Sequence, residues 1–148
     1  MSGADPPTST AVLDASVAVR WVVRERGSEE AAALLDEALA WIAPRLMLVE
    51  TASALRRKVT GKELRVSLAT QAIGALGQAV ADGTVRLVDD EDLVSAALTL
   101  ALDLGHTVPD CLYLALAERE GAPLITADRR LGDLARARGV PTRVLPSA

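Results

Sequence analysis

The chain has 148 residues, with 16 basic and 20 acidic side chains, one cysteine, one histidine and no phenylalanine. A single cysteine excludes an intrachain disulfide scaffold, and one cysteine with one histidine cannot supply the usual ligands of a structural zinc site. Trp21, Trp41 and Tyr113 are too few aromatics for a module that grips single strands by base stacking. Chemistry here must rest on carboxylates, hydroxyls and arginines.

The net charge of −4 does not suggest a general nucleic-acid binder. Lys58 and Lys62 are the only lysines, so the other 14 cations are arginines. Met1–Thr10 carries Asp5, two prolines and no basic region, unlike a signal peptide. No apolar run is long enough to span a bilayer, and a cytoplasmic protein is expected.

In chain order, Met1–Ser9 reads as a flexible lead-in and residues 10–148 as one domain. Thr10–Leu13 is an apolar strand ending at Asp14. Ser16–Glu25 and Ser28–Trp41 read as helices, the second with Ser28 as cap and Glu29 and Glu30 in its first turn. Arg45–Thr60 has helical spacing and stops at Gly61; Leu64–Asp82 is a further helix. Thr84–Val88 alternates as a strand. Asp92–Gly105 and Val108–Glu120 are helical, Leu124–Ala127 is a strand, Asp128–Arg138 a helix and Thr142–Leu145 a last strand. Short apolar strands between helices imply an α/β fold, a three-layer α/β/α sandwich on a short, mainly parallel sheet. Such sheets place ligands beyond the carboxyl ends of their strands, where Asp14 and Asp128 fall.

Each of three acids has a plain structural reading. Asp14 suits a turn or cap, Asp128 an N-cap, and Asp110 a capping box in Thr107-Val108-Pro109-Asp110. Glu50 breaks the pattern. It projects among Leu46, Met47, Val49 and Ala54, where a buried carboxylate needs a partner such as Arg57, a solvated rim or a cation. If all four converge, their repulsion calls for a divalent ion, and oxygen-only ligands select Mg²⁺ or Mn²⁺. Such a site suits phosphoryl chemistry.

The segment Val12-Leu13-Asp14-Ala15-Ser16 resembles the opening motif of PIN domains, and Leu48–Arg56 around Glu50 resembles their helical glutamate motif. Pro109–Ala117 followed by Leu124–Leu131, with Asp110 and Asp128 18 residues apart, is similar to VapC-type toxins. The resemblance runs from about Val12 to Leu145. It implies a PIN-like fold and a metal-dependent endoribonuclease, usually the toxin of a type II toxin–antitoxin pair. It further implies that Asp14, Glu50, Asp110 and Asp128 form the catalytic, metal-holding site, supported by the hydroxyls of Ser16 and Thr126. A VapB-like antitoxin and a homodimer are the implied partners, with RNA as substrate and products ending in 5′-phosphate and 3′-hydroxyl.

Phosphates need cations nearby. Arg56 and Arg57, just past Glu50, and Arg129, beside Asp128, are the expected RNA contacts, while Arg136 and Arg138 read as a solvated helix face. His106 reads as an incidental loop residue, Cys111 as a small core residue, and Trp21 and Trp41 as core or dimer interface. Val17, Val19, Trp21, Val22 and Val23 are a candidate patch for an antitoxin or second subunit. Competing classes fit less well: a receiver-like domain wants a late lysine, absent after Lys62, and a haloacid-dehalogenase-like enzyme wants an acid where Ser16 stands. A housekeeping PIN nuclease and a catalytically idle PIN binding module remain as alternatives. Without the four acids the remaining charge is balanced, so the low isoelectric point is no bar to RNA.

Overall fold

Every strand of the sheet runs parallel, as short apolar runs separated by helices require. The computed structural model describes residues 9–37 and 39–146, so the expected lead-in lies almost wholly outside the described residues. The elements are β1 (Ser9–Leu13), α1 (Ala15–Val22), α2 (Ser28–Leu35), β2 (Leu39–Pro44), α3 (Leu46–Thr60) and α4 (Val66–Ala81). They continue with β3 (Val85–Val88), α5 (Val94–Leu104), α6 (Val108–Glu120), β4 (Leu124–Thr126), α7 (Arg129–Ala137) and β5 (Thr142–Val144).

The strand order is β3-β2-β1-β4-β5. The chain leaves β1 in one direction for β2 and β3, then crosses back to β4 and β5. Right-handed crossovers therefore put α1–α4 on one face and α5–α7 on the other. Contacts agree: α1 packs on α2, α3 and α4, α6 rests on β1, β2 and β4, and α7 covers β4 and β5. The order reverses between β1 and β4, so the ligand crevice opens at their carboxyl ends.

The core is aliphatic, with Leu13, Ile42, Met47, Leu114, Leu116 and Ile125 fully enclosed. Trp21 and Trp41 meet edge to face with ring centroids 5.0 Å apart, and Cys111 is buried, as expected of core residues. Val17 and Val19 are also interior, so the apolar patch foreseen on α1 shrinks to half-buried Trp21, Val22 and Val23. Among the described residues no helix is long and apolar enough to cross a membrane.

The sequence reading misses β2, which it merges into the preceding helix. Leu39–Pro44 pairs with β1 and β3 on both edges, and Trp41–Pro44 are buried. A central strand covered on both faces shows no alternation, and Ala and Leu within it imitate helical spacing. Asp36 and Glu37 make the break without glycine or proline. The first helix also ends early, at Val22, where Val23 turns extended.

Two caps differ as well. Gly27, at φ +89°, is the N-cap of α2, and a Cβ there would meet the Pro146 carbonyl at 2.6 Å. Ser28 instead accepts from the Glu25 N–H at 2.8 Å and donates to the Val23 carbonyl at 3.1 Å. After α3 the left-handed residue is Lys62 (φ +60°), while Gly61 keeps a negative φ.

Candidate active site

Asp14 follows β1 directly and Asp128 follows β4 after a single residue, so sheet pairing alone brings the two acids together. The Asp14 N–H donates to the Ile125 carbonyl at 3.1 Å, locking the two strand ends in register. Glu50 comes from the first turns of α3 and Asp110 from the first turn of α6, on opposite faces of the sheet. All four line one cavity of about 490 Å³, with Ser16, Arg57 and Lys58 among its walls.

Asp14 is buried, and its Oδ2 accepts from Ser16 Oγ and, at 2.7 Å, from Thr126 Oγ1. The same hydroxyls tie in the neighbouring strand: Ser16 Oγ accepts from the Ala127 N–H at 2.8 Å, and Thr126 Oγ1 from the Asp128 N–H at 2.9 Å. Asp14 occupies the N-cap position of α1 without capping it. Asp128 does cap α7, its Oδ1 accepting from the N–H groups of Arg130 at 2.9 Å and Leu131 at 3.2 Å.

Glu50 Oε1 accepts from the Tyr113 hydroxyl at 2.5 Å. That partner was not legible in the sequence, which offered Arg57 instead; Arg57 acts on Glu50 only as a nearby charge. Asp110 Oδ2 lies 2.8 Å from His106 Nε2. The side chain of His106 is only 5% exposed and, though outside the cavity lining, contacts one of its carboxylates, a contact its reading as a loop residue did not foresee. The capping segment is present too, but in half: Thr107 Oγ1 accepts from the Asp110 N–H at 3.5 Å, while the Asp110 carboxylate turns to His106.

A common pattern emerges. Each carboxylate is anchored through one oxygen, leaving Asp14 Oδ1, Glu50 Oε2, Asp110 Oδ1 and Asp128 Oδ2 without a hydrogen-bond partner among the described residues. His106 Nδ1 is the one buried side-chain polar atom without a partner among those residues, so the four free oxygens all reach solvent in the cavity.

Electrostatics follow from this crowding. Burial raises the Asp14 pKa above the ordinary carboxylate value; the Ser16 and Thr126 hydrogen bonds oppose that shift, and the charges of Asp110 and Asp128 add to it. Glu50 is raised by burial and by Asp14 and Asp110, against the Tyr113 hydrogen bond and Arg57. Burial, with the charges of Asp14 and Glu50, pushes the Tyr113 hydroxyl far up, which keeps it a donor. Lys58 is held by Glu25, itself 3.2 Å from Arg20, so that cation braces the cavity wall. Arg56 is exposed and does not line the cavity, and Arg129 lines its neighbour.

Hard oxygen donors crowded around one cavity suit a divalent cation, whose charge offsets their repulsion. Among the described residues no three His, Cys, Asp or Glu side chains form a ready-made metal cage. The free oxygens surround the cavity without closing on a point.

The PIN domain matches residues 11–137. The chain belongs to the PIN-domain family. Ribonuclease VapC3 of Pyrobaculum aerophilum is 30% identical over 122 residues, covering 82% of this chain and 92% of that protein. PAE2754 from Pyrobaculum aerophilum has the same fold, with a TM-score of 0.67 at 19% identity over 91% of this chain and 84% of that one. VapBC2 from Rickettsia felis, solved bound to a DNA fragment from its promoter, gives a TM-score of 0.59 at 12% identity over 92% and 98% of the two chains. The five-stranded parallel sheet is thus the PIN sheet, as expected.

Proposed function

We propose that this PIN protein is a Mg²⁺- or Mn²⁺-dependent endoribonuclease, the toxin of a VapBC-type pair, acting through Asp14, Glu50, Asp110 and Asp128. The observation that carries the reading is the set of four carboxylates, each anchored by one oxygen and offering the other to a shared cavity. When bound, a hard divalent cation supplies charge neutralisation at the phosphodiester and acidifies water in its shell. Ser16 and Thr126 fix the orientation of Asp14, and Tyr113, held in its protonated form, fixes Glu50. His106 is engaged by Asp110, and no second histidine exists for a two-histidine acid–base mechanism. Products carrying 5′-phosphate and 3′-hydroxyl ends follow. Arg57 at the cavity wall, with Arg56 and Arg129 nearby, neutralises the RNA backbone.

Relationship to a VapC ribonuclease supports RNA as substrate, and a VapBC structure among the neighbours supports a VapB-like antitoxin as partner. A cytoplasmic homodimer completes the reading. Purified protein incubated with RNA is expected to cleave in Mg²⁺ or Mn²⁺ and to stop in EDTA. Undiminished cleavage by both Asp14→Asn and Asp110→Asn contradicts the site. Induced expression is expected to arrest growth, with rescue by a small antitoxin-like reading frame beside the gene; unimpaired growth contradicts the toxin role.

A further inference from the structure

Next to the acidic cavity lies one of opposite sign. Arg26, Arg129 and Arg136 line a space of about 610 Å³ together with Asp133, Val144 and Leu145. The guanidinium group is charged at any physiological pH. Three of them facing one carboxylate leave this cavity positive, whereas six carboxylates and three cations leave the first one negative.

Among the described residues none of these three arginines forms an ion pair, although other surface arginines do. Arg45 pairs with Asp89, Arg138 with Glu118 and Arg143 with Glu37. Arg136 makes only a 3.4 Å contact to the Thr142 carbonyl. An unpaired cluster of like charge is disfavoured on its own, and a polyanion resolves it.

The two cavities adjoin along two links. Asp128, lining the first, is followed directly by Arg129, lining the second. Arg20, lining the first, donates from Nε to the Arg26 carbonyl at 2.9 Å. The tight Gly27 turn, which packs on Pro146, brings Arg26 over the end of β5. A polymer with its reacting phosphate at the carboxylates therefore has its flanking phosphates within reach of the arginines.

We propose that the Arg26–Arg129–Arg136 cavity is a subsite for backbone phosphates of the RNA strand, on one side of the cleaved bond. The inference rests on the nuclease reading and deepens it, assigning Arg136 a role beyond the solvated face expected of it. The aromatic inventory agrees. Trp41 and Tyr113 are buried and Trp21 is half-buried, so few rings are open to stacking and phosphate contacts carry the affinity.

The test is binding of a fluorescein-labelled 12-nucleotide single-stranded RNA to the full chain in EDTA, followed by anisotropy across a salt series. Each phosphate contact on a single strand contributes about 0.7 to the slope of log K against log salt. Arg26→Gln with Arg136→Gln is expected to weaken binding and flatten that slope by about 1.4, while Arg119→Gln, whose guanidinium already faces Glu120, leaves it unchanged. Wild-type slope and affinity in the double variant overturn the proposal, as does a wild-type chain that binds no RNA. Unchanged RNA binding with loss of binding to polyglutamate assigns the cavity to an acidic protein segment and also overturns it. Because EDTA removes catalysis from the measurement, the two readings fail separately. An inactive wild type that keeps the arginine-dependent slope sinks only the nuclease, and an active one whose double variant binds normally sinks only the subsite.

Discussion

The hydroxyl of Tyr113, in the middle of α6, donates to Glu50 in α3 across 63 positions of sequence. It links helices on opposite faces of the sheet and holds a carboxylate that neither follows a strand nor caps a helix. Tyr113→Phe keeps the ring and deletes the bond. Loss of one hydrogen bond to a charged, half-buried group costs about 1.5–3 kcal/mol, a fall of several degrees in Tm for a chain of this size. Mn²⁺ affinity is expected to drop roughly tenfold as Glu50 loses its fixed orientation. A calorimetric melt and a Mn²⁺ titration check both, and no change in either removes Tyr113 from the site.

His106 is predicted to position Asp110. Through Nε2 it occupies Oδ2 and leaves Oδ1 toward the cavity. His106→Leu is expected to weaken Mn²⁺ binding by about 10–100-fold. His106→Gln, whose amide nitrogen reaches where Nε2 stood, recovers most of that loss. Equal affinities for the leucine variant and wild type refute the assignment.

Stability is predicted to fall with rising pH when metal is absent. The folded-state pKa values of Asp14 and Glu50 lie above their unfolded values, so the native chain keeps these protons longer than the unfolded chain does. Their effect on stability is therefore favourable at low pH and is lost as pH rises from the ordinary carboxylate range through the raised values. In EDTA at neutral pH, Asp14→Asn melts above wild type, and the gap narrows on acidification. Adding Mn²⁺ reverses the order by stabilising only the wild type strongly. A variant that melts below wild type in EDTA at every pH contradicts the electrostatic account.

Gly132 marks the tightest packing of α7 on the sheet, since a Cβ there would stand 2.4 Å from Val144 Cγ2. Gly132→Ala overpacks that contact and is expected to cost about 1–3 kcal/mol. Asp128 caps the same helix, so cleavage falls with stability. Denaturant unfolding with an unchanged m-value but lower midpoint is the expected result; a wild-type midpoint refutes it.

Three of the acids were legible because each follows a strand or opens a helix whose local pattern is strong: Asp14 after Val12-Leu13, Asp128 after Ile125-Thr126, Asp110 after Thr107 and Pro109; Glu50, within α3, stood out only as a carboxylate among apolar neighbours. Ser16 and Thr126 were legible only through the family resemblance, since a hydroxyl two residues from an acid reads equally well as a local cap. Tyr113 and His106 were not. A lone tyrosine in an apolar helix looks like core, and its partner is set by how α6 and α3 meet around the sheet. Strand β2 was lost because burial on both faces erases alternation, so Trp41 and Ile42 carry no local sign of extended backbone. Basic residues were read by sequence proximity to the acids, which favours Arg56. The fold adds Arg26, more than a hundred positions from Arg129, set against the same cavity as Arg129 and Arg136.

The claim that the anchored carboxylates hold a divalent ion is tested most directly by titrating Mn²⁺ into the full chain at neutral pH without RNA, reading free Mn²⁺ by electron paramagnetic resonance. Saturable binding is predicted for the wild type, weakened at least tenfold in Asp14→Asn with Asp110→Asn. A wild-type chain that leaves all Mn²⁺ free, or a double variant that binds it as tightly, would contradict the account.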